Sequence, residues 1–195
     1  MKLPKLMIDD SENDGHAETV MDYIISWCLR CAMRHFADVR PILHEHCNSI
    51  LCRLLGINNP ESVSIIDVKV WKQESKIDLW VEISLLRNDV KESHALLIEN
   101  KYYSPLRDNV KDEDGEYRNQ LIVYKKKFDK YYDSQTVFWD RHYSLITCIE
   151  RDDPEFFQYN ICKKIGFELF SFYELRGNCT TPTESDIYNE FWLRW

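Results

Sequence analysis

The sequence has no long apolar run and no excess of positive charge. No hydrophobic stretch approaches the roughly 18 residues that span a bilayer, and Pro4 and Lys5 interrupt the apolar residues at the amino terminus, unlike the core of a signal peptide. The 33 acidic and 25 basic residues give a formal net charge of -8, which argues against binding nucleic acid through a bulk positive field alone. We therefore expect a soluble, cytoplasmic protein with no membrane partner.

A disulfide framework is also missing. The seven cysteines are an odd number without regular spacing, as expected of reduced thiols inside a cell. Cys28 and Cys31 form a C-x-x-C pair, but no second pair follows at zinc-finger spacing, so burial as small apolar side chains is favoured over a zinc or redox role. His44 and His46 are two apart on a predicted helix, where side chains face different directions and make poor co-ligands.

The sequence does contain enough apolar residues for a single packed core. Hydrophobic residues make up 44% of the 195 residues, and a chain of this length buries roughly two-thirds of the surface that its unfolded form would expose. We expect a flexible amino terminus over residues 1–15 and one domain over residues 16–195. The apolar pattern that stops at Trp195 also suggests a fragment of a longer chain.

Helical spacing of apolar residues predicts two helices before the first strand. The first covers residues 16 to about 39. Pro41 can occupy the first turn of the second, which Gly56 would end in a left-handed conformation. Later helices are predicted over residues 117–131, in a short segment through Phe156, Phe157 and Ile161, and over residues 184–195.

Three runs with strand character lie between the second and third helices, at residues 64–71, 76–85 and 94–102. The middle run alternates apolar and polar residues with the period of two that a strand requires. Short polar separators predict an antiparallel meander, and His94 at the start of the third run is expected to be structural. With a charged, mobile loop over residues 104–116 and later strands at 143–149 and 167–170, the fold class is α/β, a mixed (α+β) sheet with flanking helices.

Ionisable residues occupy one end of this meander. Glu99 and Lys101 are two apart on a strand and project to the same side, and an antiparallel hairpin brings Asp78 beside Glu99. Two carboxylates within a few ångströms repel each other unless a cation lies between them, and oxygen ligands favour Mg²⁺ or Mn²⁺. An ammonium such as that of Lys101 can orient a metal-bound water and stabilise charge on a phosphate. Phosphodiester hydrolysis needs these parts.

The order of Asp78, a Glu-x-Lys ending at Lys101, and Gln-x-x-x-Tyr from Gln120 to Tyr124 resembles the PD-(D/E)xK nuclease superfamily and its RecB-type branch. The resemblance covers roughly residues 16 to 150. It implies a restriction-endonuclease-like core in the order α-β-β-β-α-β. It also implies that Asp78 and Glu99 bind metal, that Lys101 positions or activates the water, and that Gln120 and Tyr124 support the site and contact the DNA backbone.

The same resemblance implies a further glutamate on the first helix, facing the metal. Glu18 is the best match, because Glu-x-Val-x-x-x-Ile-Ile-x-Trp resembles the first helix of uncharacterised members; Asp22 and Glu45 remain alternatives. One departure from the motif is that Ile77, not proline, precedes the first acidic residue. The sequence therefore does not decide which of these three carboxylates is the additional ligand.

Basic and aromatic side chains on the third helix suggest how nucleic acid would bind. Arg118, Lys125 and Lys127 could hold phosphates and Tyr131 could stack on a base, although a solvated helix face carries similar charge. We predict a Mg²⁺- or Mn²⁺-dependent deoxyribonuclease whose partner is DNA. The sequence does not determine the oligomeric state, and a homodimer is compatible with it. The alternative function is that of an inactive nucleic-acid- or protein-binding module of a defence or mobile-element system. For the Glu-x-Lys motif alone, the alternative is a solvated strand end whose ion pair contributes ~0–1 kcal/mol.

Overall fold

A five-stranded mixed sheet forms the centre of the protein, whose computed structural model describes residues 17–194. The predicted flexible amino terminus and Trp195 lie outside the described residues. The strands are β1 (Val63–Glu74), β2 (Ile77–Arg87), β3 (Val90–Lys101), β6 (Asp140–Thr147) and β7 (Glu168–Ser171), in that spatial order, with a separate hairpin of β4 (Val110–Lys111) and β5 (Tyr117–Arg118). The α-helices are α1 (Ala17–Cys31), α2 (Pro41–Leu54), α3 (Gln120–Asp133), α4 (Ile161–Ile165), α5 (Phe172–Arg176) and α6 (Asp186–Tyr188).

The first three strands form the predicted antiparallel meander. Two-residue turns join them, Ser75-Lys76 with φ of 54° and 70° and Asn88-Asp89 with φ of 51° and 64°. Positive φ at both central residues is typical of type I′ turns, whose twist matches that of the flanking strands. β6 pairs in parallel with β3, and β7 in parallel with β6. The elements α1, β1, β2, β3, α3 and β6 follow the order α-β-β-β-α-β expected for the core, with α2 inserted before β1 and the β4–β5 hairpin before α3.

Three segments differ most from the sequence predictions. The first helix ends at Cys31 rather than near residue 39, because Met33 takes up extended backbone (φ -63°, ψ 135°) and the residues after it form only the short 3-10 helix Arg34–Phe36. The predicted loop over residues 104–116 contains β4. Near the carboxyl end, α6 is a single turn followed by the π-helical turn Asn189–Leu193, and α5 was missed because five residues are too few to show a helical period.

Helices cover both faces of the sheet. On one face Asp22 of α1 accepts a hydrogen bond from Asn100 of β3, and on the other the Trp80 indole of β2 packs against Phe128 and Tyr132 of α3. The indole N–H donates to the Tyr132 hydroxyl at 2.7 Å, so this buried polar group is satisfied. No helix within residues 17–194 is long and apolar enough to cross a membrane. The ends of β2 and β3 therefore lie between α1 and α3.

Candidate functional site

The hairpin of β2 and β3 holds two carboxylates side by side. Leu79 pairs with Ile98, and the same alignment places Asp78 opposite Glu99. The backbone N–H of Asn100 donates to Asp78 Oδ2 at 2.8 Å, which fixes one carboxylate against the next strand. Asp78 is partly exposed, whereas Glu99 is only 2% exposed. The strand end predicted to carry the site thus contains one accessible and one buried carboxylate.

Lys101 is held between two carboxylates. Its Nζ lies 2.7 Å from Glu99 Oε1 and 3.8 Å from Glu18 Oε1. Glu18 is itself fixed by hydrogen bonds from the backbone N–H of Tyr102 at 3.1 Å and from the Ser104 hydroxyl. Burial alone would lower the pKa of Lys101, but the negative charges of Glu99 and Glu18 outweigh it and raise the pKa above its usual value. Lys101 is therefore a charged donor at neutral pH.

Asp22 is a second carboxylate that α1 brings to the site. Its Oδ1 accepts from Asn100 Nδ2 at 2.7 Å and its Oδ2 from Gln73 Nε2 at 3.0 Å. Gln73 Nε2 also donates to Asp78 Oδ1 at 2.9 Å, so one amide joins the two acidic groups. Gln73 has a φ of 56°, a conformation that costs energy in residues other than glycine and is often found at functional sites. Burial, reinforced by the charge of Asp78, raises the pKa of Asp22 to about 6.

The three candidates for the additional metal ligand differ in whether they reach the strand ends. Glu18 and Asp22 both reach the strand ends, Glu18 beside Lys101 and Asp22 beside Asn100. Glu45 is exposed on α2. Of the alternatives that the sequence left open, the structure brings two to the site.

Glu99 interacts electrostatically with Asp78, Lys101 and Glu18. Burial, together with repulsion from Asp78, raises its pKa to about 8 in spite of the nearby Lys101, and burial also raises the pKa of Asp78. Glu99 Oε2 is buried and has no hydrogen-bond partner among the described residues, a state that costs about 1–3 kcal/mol. A divalent cation would pair this oxygen and relieve the repulsion between the two acids. The donor set therefore fits a hard ion such as Mg²⁺ or Mn²⁺.

The two motif residues of α3 are buried over this cluster. The Gln120 amide donates to Glu99 Oε1, and Gln120 Oε1 accepts from the backbone N–H of Arg107 at 2.9 Å. Arg107 Nη2 lies 3.4 Å from the Tyr124 hydroxyl. Asn119 caps the helix, so α3 starts at Gln120 and not at residue 117. Gln120 thus joins the buried carboxylate to the segment after β3, and Arg107 is a supporting residue that the motifs did not indicate.

Two of the four predicted nucleic-acid-binding residues line a cavity between α3 and the sheet. Lys127 and Tyr131 continue the face of α3 that carries the two motif residues. Together with Trp71 of β1 and Trp80 of β2, they line an open cavity of about 650 Å³. Trp80 is two residues from Asp78 on β2, so both side chains lie on the same face of the sheet. The cavity therefore lies on the face of the sheet that carries the two carboxylates, and neither carboxylate lines it.

The other two basic candidates lie elsewhere. Arg118 forms ion pairs with Asp112 and, at 2.7 Å, with Asp114 in the β4–β5 hairpin. Lys125 places its Nζ 3.3 Å from the centre of the Tyr143 ring, on a different side of α3. The structure does not bring these two side chains to the carboxylates. Arg118 belongs to β5 of that hairpin and not to α3, so the helical spacing assumed for it does not apply.

A second group of metal-ligand type was missed by sequence analysis. Within residues 17–194, ligand atoms of His94, Asp140 and His142 all lie within 4.8 Å of one another. His94 was expected to be structural, and the sequence signal is limited to Asp-x-His at the start of β6. The group forms because parallel pairing places His94 opposite Asp140. This arrangement brings three potential metal ligands together across β3 and β6.

Comparisons with known proteins add no family or relative. No family model, no curated protein and no solved structure matches the chain. Function is therefore inferred from the geometry and chemistry of the residues described above.

Proposed function

We propose that this chain is a metal-dependent nuclease that hydrolyses DNA phosphodiester bonds, with Asp78 and Glu99 as ligands of Mg²⁺ or Mn²⁺. The observation that carries the proposal is the buried Glu99, which has an unpaired Oε2 among the described residues and lies in contact with Lys101 and Gln120. A buried acid in this state is stabilised by holding a proton or by binding a cation, and a divalent ion bound here would take the place of the proton. The resemblance of the motifs to PD-(D/E)xK nucleases supports the same function.

Each residue of the cluster has a chemical role in this proposal. When bound by Asp78 and Glu99, the ion would lower the pKa of a water molecule and neutralise charge on the phosphate. Lys101 would donate a hydrogen bond to the attacking oxygen or to the phosphate; its raised pKa makes it a poor proton acceptor. Gln120 and Tyr124 would hold Glu99 and the neighbouring backbone in position.

Glu18 is the proposed additional ligand from α1. It is partly exposed and reaches Lys101, whereas Asp22 is buried and held by two amides. Within residues 17–194 no three carboxylates here have oxygens all within 4.8 Å of one another, so Glu18 would act through a water molecule. Asp22 would instead fix the amides that surround Asp78.

DNA would approach along the cavity between α3 and β1. Tyr131 and Trp71 expose aromatic surface on which bases can stack. The same lining contains two lysines, Lys127 and Lys130, and three glutamates, Glu74, Glu82 and Glu113. With a net charge of -8 over the whole chain, attraction to phosphates must be local. We therefore expect weak binding with a shallow dependence on salt, because few lysines are available to contact phosphates.

A cleavage assay with matched variants tests the proposal. Supercoiled, linear duplex and single-stranded DNA would each be incubated with the purified chain in Mg²⁺, in Mn²⁺ and in EDTA. We expect metal-dependent cleavage of at least one form, and a loss of about 100-fold or more in Asp78→Asn and Lys101→Ala. Lys164→Ala, an exposed lysine of α4, is the matched control and should cleave normally.

Two results would contradict the proposal. One is the absence of cleavage of every DNA form in either ion by a folded wild-type chain, which would favour an inactive binding module. The other is equal activity of Lys101→Ala and the wild type. Thermal unfolding of each variant distinguishes loss of chemistry from loss of the fold.

A further inference from the structure

Three metal-ligand side chains lie together at the end of the β3–β6 pair that is remote from the carboxylates. Parallel pairing puts His94 opposite Asp140 and Leu96 opposite His142. Alternate residues of a strand share a face, so His94, Asp140 and His142 all project from the same side of the sheet. His94 precedes Glu99 by five residues along β3, a separation of about 17 Å. The cluster, which we call the histidine cluster, is therefore independent of the proposed nuclease site.

The ligand atoms of the histidine cluster have the spacing of a metal site. His94 Nδ1 lies 3.0 Å from His142 Nε2 and 3.7 Å from Asp140 Oδ2, and the remaining distance, from His142 Nε2 to Asp140 Oδ2, is 3.6 Å. A triangle with these sides has a point about 2.0 Å from all three atoms, which is the usual length of Zn–N and Zn–O bonds. By these distances, an ion close to that point would be within bonding range of all three atoms.

Two charged side chains next to the cluster, Glu92 and Arg87, orient His94, which is its most buried ligand. His94 Nε2 lies 2.9 Å from Glu92 Oε2, and Glu92 in turn receives two hydrogen bonds from Arg87, at 2.8 and 2.7 Å. A carboxylate on one ring nitrogen favours the proton there, which leaves the Nδ1 lone pair directed at the cluster. Ligand histidines of zinc sites are held in the same way, by a carboxylate on the nitrogen that does not bind the metal.

The cluster is buried on one side and open on the other. The side chains of His94, His142 and Asp140 are 3%, 18% and 57% exposed, so an ion can reach the site from the solvent at Asp140. Three protein ligands leave a fourth position for water. Two imidazole nitrogens favour zinc and related transition metals over Mg²⁺, which prefers oxygen alone.

We propose that His94, Asp140 and His142 bind one Zn²⁺ ion and thereby connect β3 to β6. The connection joins residues 48 positions apart in the chain, and an ion that binds only the folded state stabilises it. The ion would reinforce the parallel pair from which Glu99 projects at the other end.

Titration of the metal-stripped full chain with Zn²⁺ and Co²⁺ tests the site. Because the Asp78–Glu99 pair can also take Zn²⁺, the stoichiometry is measured on Asp78→Asn, where calorimetry should give one Zn²⁺ per chain, and Co²⁺ should give the visible absorption of a four- or five-coordinate nitrogen–oxygen site. We expect His142→Ala and Asp140→Asn each to weaken Zn²⁺ binding at least tenfold and to remove the upward shift in melting temperature that Zn²⁺ gives the wild type. The exposed His35→Ala and Asp152→Asn are matched controls that should bind as the wild type does.

The outcomes separate this site from the others in the chain. Asp78→Asn should retain full Zn²⁺ binding, so a failure of the nuclease proposal leaves this one unaffected. A near-ultraviolet thiolate-to-cobalt band would place the ion on the cysteines and overturn the proposal. Absence of binding to the wild type, or equal binding by folded His142→Ala and Asp140→Asn, would overturn it as well.

Discussion

Glu99 should make the stability of the metal-free protein depend on pH. The pKa of its carboxyl group is about 8 in the folded chain, against an ordinary value of 4.5. The folded state therefore holds more protons than the unfolded state between these values, and the free energy of unfolding falls as pH rises. Below pH 4.5 the ionisation of Glu99 does not lower the free energy of unfolding, and above pH 8 it lowers it by the full amount. For one group with these two pKa values, the fall between pH 5 and pH 8 is roughly 3 kcal/mol.

Glu99→Gln isolates this contribution, because glutamine does not titrate. The absolute stability of the variant does not test the prediction, because Lys101 loses its partner at 2.7 Å. The test is the slope of the free energy of unfolding against pH. Asp22, with a pKa of about 6 against an ordinary 3.8, and Asp78, whose pKa is also raised by burial, should leave a smaller fall at lower pH in both proteins. Urea unfolding in EDTA at pH 5, 6, 7 and 8 measures both curves.

The same experiment reports on the metal. A divalent ion between Asp78 and Glu99 favours the charged carboxylates, so Mg²⁺ or Mn²⁺ should flatten the wild-type curve and stabilise the protein more at pH 8 than at pH 6. The ion should have little effect on Glu99→Gln. Parallel curves for the wild type and the variant in EDTA would refute the assignment of a raised pKa to Glu99.

Three further substitutions have expected effects. Gln120→Leu removes the amide that donates to Glu99 and should lower the rate of DNA cleavage by about 10- to 100-fold. Tyr132→Phe leaves the buried Trp80 N–H without its acceptor and should lower the free energy of urea unfolding by about 1–3 kcal/mol. Gly56→Ala should cost about 1 kcal/mol in the same assay, because Gly56 has a φ of 68° and the added Cβ meets no other atom within 4 Å.

The sequence was sufficient for the local part of the site. Period-two alternation located β2, and the short separator before β3 implied a hairpin, so the proximity of Asp78 and Glu99 followed from strand geometry. Helical spacing likewise placed Gln120 and Tyr124 on one face of α3, as observed. These relations depend on residues close in sequence, where periodicity determines direction.

Relations between distant segments could not be predicted in this way. The bond between Asp22 and Asn100 joins residues 78 positions apart, and its formation depends on how α1 packs on the sheet. The pairing of His94 with Asp140 required the parallel crossover through α3, which no local pattern specifies. A single sequence therefore left the first-helix carboxylate open and gave no indication of the histidine cluster.

The turn at Asn88-Asp89 is remote from the carboxylates, yet it determines whether they meet. Pairing runs without a break from Arg87 with Val90, beside the turn, to Leu79 with Ile98. A one-residue shift in a strand exchanges its two faces, so one residue inserted in this turn would send Glu99 towards α1 and leave Asp78 opposite another side chain. Two residues with positive φ, about 33 Å away along the strand, thus set the alignment on which the chemistry depends.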